Sequence, residues 1–164
     1  MYDTTVTKFF SIDAKRLFDY FTQAELLEKW SAPEGMTLKI PVFEARPGGR
    51  YRYEHTSKDG VYVCEGFVKE IIPEKKLVQQ DEYIKSPKGE ELGKNLECTI
   101  DFESMPGGTE VRIETTGFDK KEFADECETG WTQCLDKLSD LISNEVGFKT
   151  DRNARSIKNL NTNL

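Results

Sequence analysis

The sequence predicts an α+β fold in which a curved antiparallel sheet of about six to seven strands wraps around one long C-terminal helix. Three observations carry this expectation. Between Met36 and Thr115 apolar and polar residues alternate with period two, broken by Gly-, Pro- and Asp-containing turns. After Asp119 the apolar residues Phe123, Cys127, Trp131, Cys134, Leu138 and Leu141 recur at spacings of four, four, three, four and three, a helical stripe. Between the first strand and the alternating region lie two short apolar patterns of helical period, residues 14–21 and 24–30. A sheet polar on one face is covered on one side only, and the long helix is the element available to cover it.

The elements follow in order. Residues 2–12, YDTTVTKFFSI, are rich in Thr, Val, Phe and Tyr and read as the first strand. Ser11 and Asp13 offer caps to a helix in which Leu17, Phe18 and Phe21 fall at helical spacing. A second helix sets Leu26, Leu27 and Trp30 on one face and stops at Ala32-Pro33-Glu34-Gly35. Met36, Leu38, Ile40 and Val42 then alternate with Thr37, Lys39 and Pro41. Beyond the turn Arg46-Pro47-Gly48-Gly49, Tyr51, Tyr53 and His55 alternate with Arg50, Arg52 and Glu54. Lys58-Asp59-Gly60 signals a hairpin, with 61–72 as the return strand and 77–84 as the strand after it. Leu96, Cys98, Ile100 and Phe102 point one way, as do Val111, Ile113 and Thr115 after the turn Pro106-Gly107-Gly108. The last helix is expected to run roughly 35 to 40 Å at 1.5 Å per residue and to end at Gly147. Residues 1–147 thus read as one domain and 148–164 as a basic, Asn-rich tail, disordered or loosely attached. Four basic residues against one acidic give that tail +3 and leave −10 on the rest of the chain.

Composition excludes several function classes. A chain of 164 residues supports one core. Its 23 basic and 30 acidic side chains give a net charge of −7, which repels phosphate backbones and argues against a nucleic-acid partner. The N-terminus lacks the apolar run of a signal peptide, and no stretch approaches the roughly 20 apolar residues of a membrane span. With a mean hydropathy of −0.63, a cytoplasmic location is expected. Cys64, Cys98, Cys127 and Cys134 form no C-x-x-C pair and have no histidine at ligand spacing, so no metal site is expected. Cys127 and Cys134 lie about 10 Å apart along a helix, beyond disulfide reach, and all four read as reduced, small core hydrophobes. His55, the single histidine, reads as a strand residue rather than a base for a thiol. No cofactor is implied.

Five segments carry a resemblance by their order and spacing: AELLEKW at 24–30, EARPGGRYRYE at 44–54, Asp59-Gly60, GFVKEIIPEKKLV at 66–78 and GWTQCLDKL at 130–138. Together, over about residues 5–145, they resemble the START-like (SRPBCC) superfamily. Within it they are similar to the branch of activators of the ninety-kilodalton heat-shock chaperone's ATPase. The resemblance implies a helix-grip fold with an apolar space between sheet and helix, where small-molecule sites tend to lie. In such folds the uncharged sheet face turns toward the helix, which makes Tyr51, Tyr53 and His55 the polar groups expected in the cavity. Trp30, Cys98, Phe102, Cys127, Trp131 and Cys134 are the apolar wall expected around them. Pro47, Gly48 and Gly49 read as a turn, and Gly130 as the point where the helix comes close to the sheet.

Three functional readings follow. The leading one is a module that binds a small apolar or lipid-like molecule in that cavity. The second is a protein-interaction module such as a chaperone co-factor, with Phe67 on the outer sheet face as a candidate contact. The third is a cyclase- or hydrolase-like enzyme, which needs an inward acid or base; Glu65 and Glu82 are the carboxylates whose faces depend on strand register. A buried acid beside a tyrosine favours the enzyme, a roomy cavity favours binding, and a filled core favours the protein partner.

Overall fold

The computed structural model describes the backbone of residues 1–162 and the side chains of residues 1–145. The chain runs β1 (Tyr2–Phe10), α1 (Ala14–Thr22), α2 (Ala24–Trp30), β2 (Thr37–Phe43), β3 (Arg50–Ser57), β4 (Gly60–Ile72), β5 (Lys76–Lys85), β6 (Glu91–Met105), β7 (Gly108–Phe118) and α3 (Lys121–Thr162). Seven antiparallel strands form one sheet in the order β1-β7-β6-β5-β4-β3-β2. This is the predicted helix-grip α+β fold, with α1 and α2 inserted after the first strand.

Local chemistry explains the elements. The Asp13 carboxylate caps α1 by accepting from the Arg16 N–H at 2.8 Å. Leu17, Phe18 and Phe21 are buried, and the Phe18 and Phe21 rings meet Phe102 edge to face at 5.2 and 5.1 Å. Trp30 is 1% exposed and donates its indole N–H to the Tyr20 carbonyl at 3.0 Å. It therefore locks α2 onto α1. Leu96, Cys98, Ile100 and Phe102 on β6, and Val111, Ile113 and Thr115 on β7, all point into the core as their alternation predicts. The Arg46–Gly49 turn is stitched to β4: Gly48 donates to the Val68 carbonyl at 2.8 Å and Val68 to that of Gly49 at 2.7 Å. Gly48 holds φ +77°, the left-handed conformation that favours glycine. A Cβ at Gly49 would stand 2.0 Å from the Glu44 carbonyl oxygen.

Four expectations need correction. Val42 is 41% exposed rather than inward. Lys39 pairs with Glu54 but Val42 with Arg52, so an extra residue in β2 flips the parity and turns Phe43 onto Tyr51 and Tyr53 instead. Gly130 does not bring α3 close to the sheet; a Cβ there would meet Pro33, in the loop after α2, at an ordinary 3.6 Å. The first strand stops at Phe10, short of residue 12. Finally, α3 continues through Gly147 to Thr162. A single interior glycine weakens a helix by about 1 kcal/mol relative to alanine, which does not oblige it to end. The expected tail at 148–164 falls on residues whose side chains, and for 163–164 the backbone, lie outside the described residues.

α3 is held on by groups from three directions. Lys8 of β1 pairs with Asp136 at 3.0 Å. Lys137 donates to the Ala32 carbonyl at 2.7 Å, and the Gln133 side-chain oxygen accepts from the Glu34 N–H at 3.1 Å. Tyr20 of α1 donates its hydroxyl to Glu145, and Arg16 stands beside both. Burial, followed by the Glu145 carboxylate, pushes the Tyr20 hydroxyl up to about 12.

Candidate functional site

The large apolar side chains do not fill the space under α3. Leu135, Leu138 and Ile142 close the main core with α1, α2 and the central strands, while Leu96, Phe118 and Ala124 form a second cluster under the start of α3. A cavity of about 320 Å³ touches both clusters. At about 30 Å³ per water-sized group, it holds on the order of ten such groups, the lower end of ordinary ligand pockets. No membrane-crossing length of apolar helix occurs among the described residues.

Six of the nine expected site residues meet at this cavity: Tyr53, His55, Cys98, Cys127, Trp131 and Cys134. The other three do not line it. Trp30 sits one layer behind, its ring 6.4 Å from Trp131 and 4.8 Å from Phe21. Phe102 is buried between Phe18 and Phe21. Tyr51, 1% exposed, lies flat against Tyr53 at 5.0 Å and passes over Gly66 of β4 to reach β5. All three support the wall rather than form its surface, because each stands behind a ring that does line it: Trp131 and Phe21 for Trp30, Phe21 for Phe102 and Tyr53 for Tyr51.

The residue missed by sequence reasoning is Asp81. It lines the cavity, enclosed by protein yet keeping open surface toward the void. Its Oδ1 accepts from the Tyr51 hydroxyl at 2.5 Å and from the Cys64 thiol at 3.3 Å. Neighbouring Gln79 donates its side-chain amide to the Tyr53 oxygen at 2.7 Å. Glu65 and Glu82, the carboxylates considered for this role, point outward. Glu65 accepts from the Tyr83 hydroxyl and pairs with Arg52, and Glu82 pairs with Arg50 at 2.5 Å; these hydrogen bonds, that of Tyr83 first for Glu65, hold both carboxyls below the usual range. The signal for Asp81 was in β5, where Leu77, Gln79 and Asp81 share parity. It is obscured because Glu65 pairs with Tyr83 and Gly66 with Asp81, which leaves Glu82 as a bulge and lets Ile84 also face the cavity.

Burial dominates the electrostatics. It pushes the Asp81 carboxyl above its ordinary value, while the two donors on Oδ1 pull the other way. It also raises the hydroxyls of Tyr51 and Tyr53 and all four thiols, Cys127 to about 11 and Cys134 to about 12. The cysteines are unpaired thiols, poor nucleophiles at neutral pH. His55 must carry its proton on Nε2, because that atom meets the Ser31 carbonyl at 2.9 Å. Burial lowers its pKa and keeps the ring neutral. Among the described residues, no three His, Cys, Asp or Glu side chains converge in a way that could hold a metal ion.

The raised Asp81 carboxyl has a consequence for stability. The folded state holds this proton more tightly than the unfolded chain, so stability falls as pH rises from the unfolded value near 3.9 through the folded value. Asp81→Asn removes that slope. Urea denaturation should show the variant gaining on the wild type as pH rises from about 4 to 7; a difference that stays constant with pH would contradict the burial of an ionisable Asp81.

Comparison with known proteins places this architecture. A protein of Chromobacterium violaceum of known structure superposes with a TM-score of 0.78 at 23% identity, over 85% of this chain and 96% of that one. The AHSA1 protein of Silicibacter pomeroyi gives 0.76 at 20% identity, over 88% and 99%. A protein of Arthrobacter aurescens gives 0.75 at 20%, over 87% and 86%. At these identities the likeness concerns the fold. A comparison with curated proteins finds no match. The sequence itself matches the family described as "Activator of Hsp90 ATPase homolog 1-like protein" over residues 11–143. That stretch runs from the cap of α1 through every strand but the first and well into α3, so the match is to the domain as a whole, and the chain belongs to this family.

Proposed function

We propose that this protein binds a small, mostly apolar molecule in the cavity between α3 and the sheet. The observation that carries this reading is the cavity itself: about 320 Å³ with predominantly apolar walls, beside a buried hydrophobic core. A ligand of matching size removes this apolar wall from water, a favourable transfer. The segment between α2 and β2 closes one side, since Ser31, Ala32 and Glu34 are bonded to His55, Lys137 and Gln133. Phe67, the outer-face contact expected for a protein partner, is half-buried among charged neighbours rather than part of an exposed apolar patch.

Asp81 supports a second reading, in which the cavity works as an acid-dependent enzyme. A carboxyl whose pKa is raised by burial holds its proton to higher pH than a solvated one, the direction a general acid requires. It is secondary because His55, the cavity's neutral imidazole, stands on β3, two strands away and four residues along from Tyr51.

Binding is tested by thermal shift and tryptophan fluorescence with short-chain amphiphiles. Occupancy should raise the melting temperature by RT ln(1 + [L]/Kd), about 2.7 kcal/mol of stability at a hundredfold excess over Kd, and perturb Trp131 on the cavity wall. No shift with any apolar probe near this volume would dismiss the reading.

A further inference from the structure

The polar end of the cavity is asymmetric in charge. Both donors that reach Asp81, the Tyr51 hydroxyl and the Cys64 thiol, fall on Oδ1; among the described residues no hydrogen bond falls on Oδ2. Donors on one oxygen favour a carboxylate whose other oxygen faces the void. No lysine or arginine stands among the described lining residues, whereas a second carboxylate, Glu126, does. The remaining lining offers aromatic faces, Tyr53 and Trp131 among them, and these attract cations. With no lysine or arginine in the lining, a cation that would favour the ionised form of Asp81 must come from outside.

We propose that the ligand is an apolar molecule bearing one basic amine, its ammonium seated against Asp81 Oδ2 and its hydrocarbon along the apolar wall. This rests on the cavity being a binding site and deepens it by naming the ligand class. The ammonium supplies the charge that Oδ2 lacks. A fatty carboxylate would instead bring its negative charge to Asp81, in a lining that holds a further carboxylate, Glu126, and no lysine or arginine. A neutral alcohol can hydrogen-bond to Oδ2 but compensates no charge.

The test uses the full chain with three probes of one chain length, octylamine, 1-octanol and octanoate, at neutral pH, read by tryptophan fluorescence and titration calorimetry. Octylamine should bind tightest, 1-octanol about tenfold more weakly, and octanoate more weakly still. Asp81→Asn should weaken octylamine by at least about tenfold and leave 1-octanol within about threefold. The wild-type ranking decides alone if that variant does not fold. Octanoate binding as tightly as octylamine, or folded Asp81→Asn retaining octylamine affinity, overturns the proposal. Equal affinity for all three probes overturns it while the binding reading stands. Failure of all three to bind overturns both.

Discussion

Gly66→Ala should be the most damaging single-methyl substitution in this protein, lowering stability by more than about 4 kcal/mol, in the exceptional range for a point mutant. A Cβ at this position would stand 2.0 Å from the Gln80 carbonyl oxygen of β5 and within 2.5 Å of the Tyr51 hydroxyl. Neither neighbour can give way cheaply. The Gln80 carbonyl belongs to the backbone of the paired strand. The Tyr51 ring is 1% exposed, stacked on Tyr53 and tied to Asp81. The methyl must therefore part β4 from β5 or lift Tyr51 off its carboxylate partner. Domains of this size have only about 5–15 kcal/mol of stability, so urea denaturation should show either a drastically lowered midpoint or an unfolded chain. A loss below about 1 kcal/mol would mean that Tyr51 does not cross β4 as described.

The second large effect is expected at Trp30. Trp30→Ala should cost about 3–5 kcal/mol, the usual range for removing a buried tryptophan. The side chain is 1% exposed, meets Phe21 at 4.8 Å and Trp131 at 6.4 Å, and its N–H satisfies the Tyr20 carbonyl. Trp30→Phe should recover part of the packing but leave that carbonyl without its donor, a remaining deficit of about 1–3 kcal/mol. Thermal unfolding of the two variants separates packing from hydrogen bonding. Because Trp30 backs Trp131 rather than lining the cavity, its loss should act on stability first. A variant with wild-type stability and abolished probe binding would instead place Trp30 at the ligand.

These two predictions show where the sequence is a good guide and where it is not. Trp30 was legible as an apolar helix residue, yet its role as a second layer depends on Trp131 standing between it and the void. Gly66 carried no signal, since a glycine opposite another strand's tyrosine is meaningful only when the register between β3, β4 and β5 is known. The same holds for Asp81. Its parity with Leu77 pointed inward, but the bulge at Glu82 decides which of three neighbouring carboxylates reaches the cavity.

The outer sheet face gives a contrasting case. Arg50 with Glu82, Arg52 with Glu65 and Lys69 with Glu97 form a ladder of surface pairs, the middle one half-buried. The outward parity of Arg50, Arg52 and Glu97 was readable from the alternation along their strands, whereas the faces of Glu65 and Glu82 depended on register. Surface pairs of this kind contribute roughly 0–1 kcal/mol each, so they mark the solvated face without determining its stability.

The sequence by itself determined the order of the elements, the inward face of β6 and β7, the helical stripe of α3 and the family. Each depends on the period of side chains along one segment, which is a local property. Only the tertiary structure decided that the core leaves a cavity, that six of nine expected residues line it, and that Asp81 is its acidic group. Those outcomes depend on strand register, and a single extra residue in β2 or β5 reverses which side chains face inward.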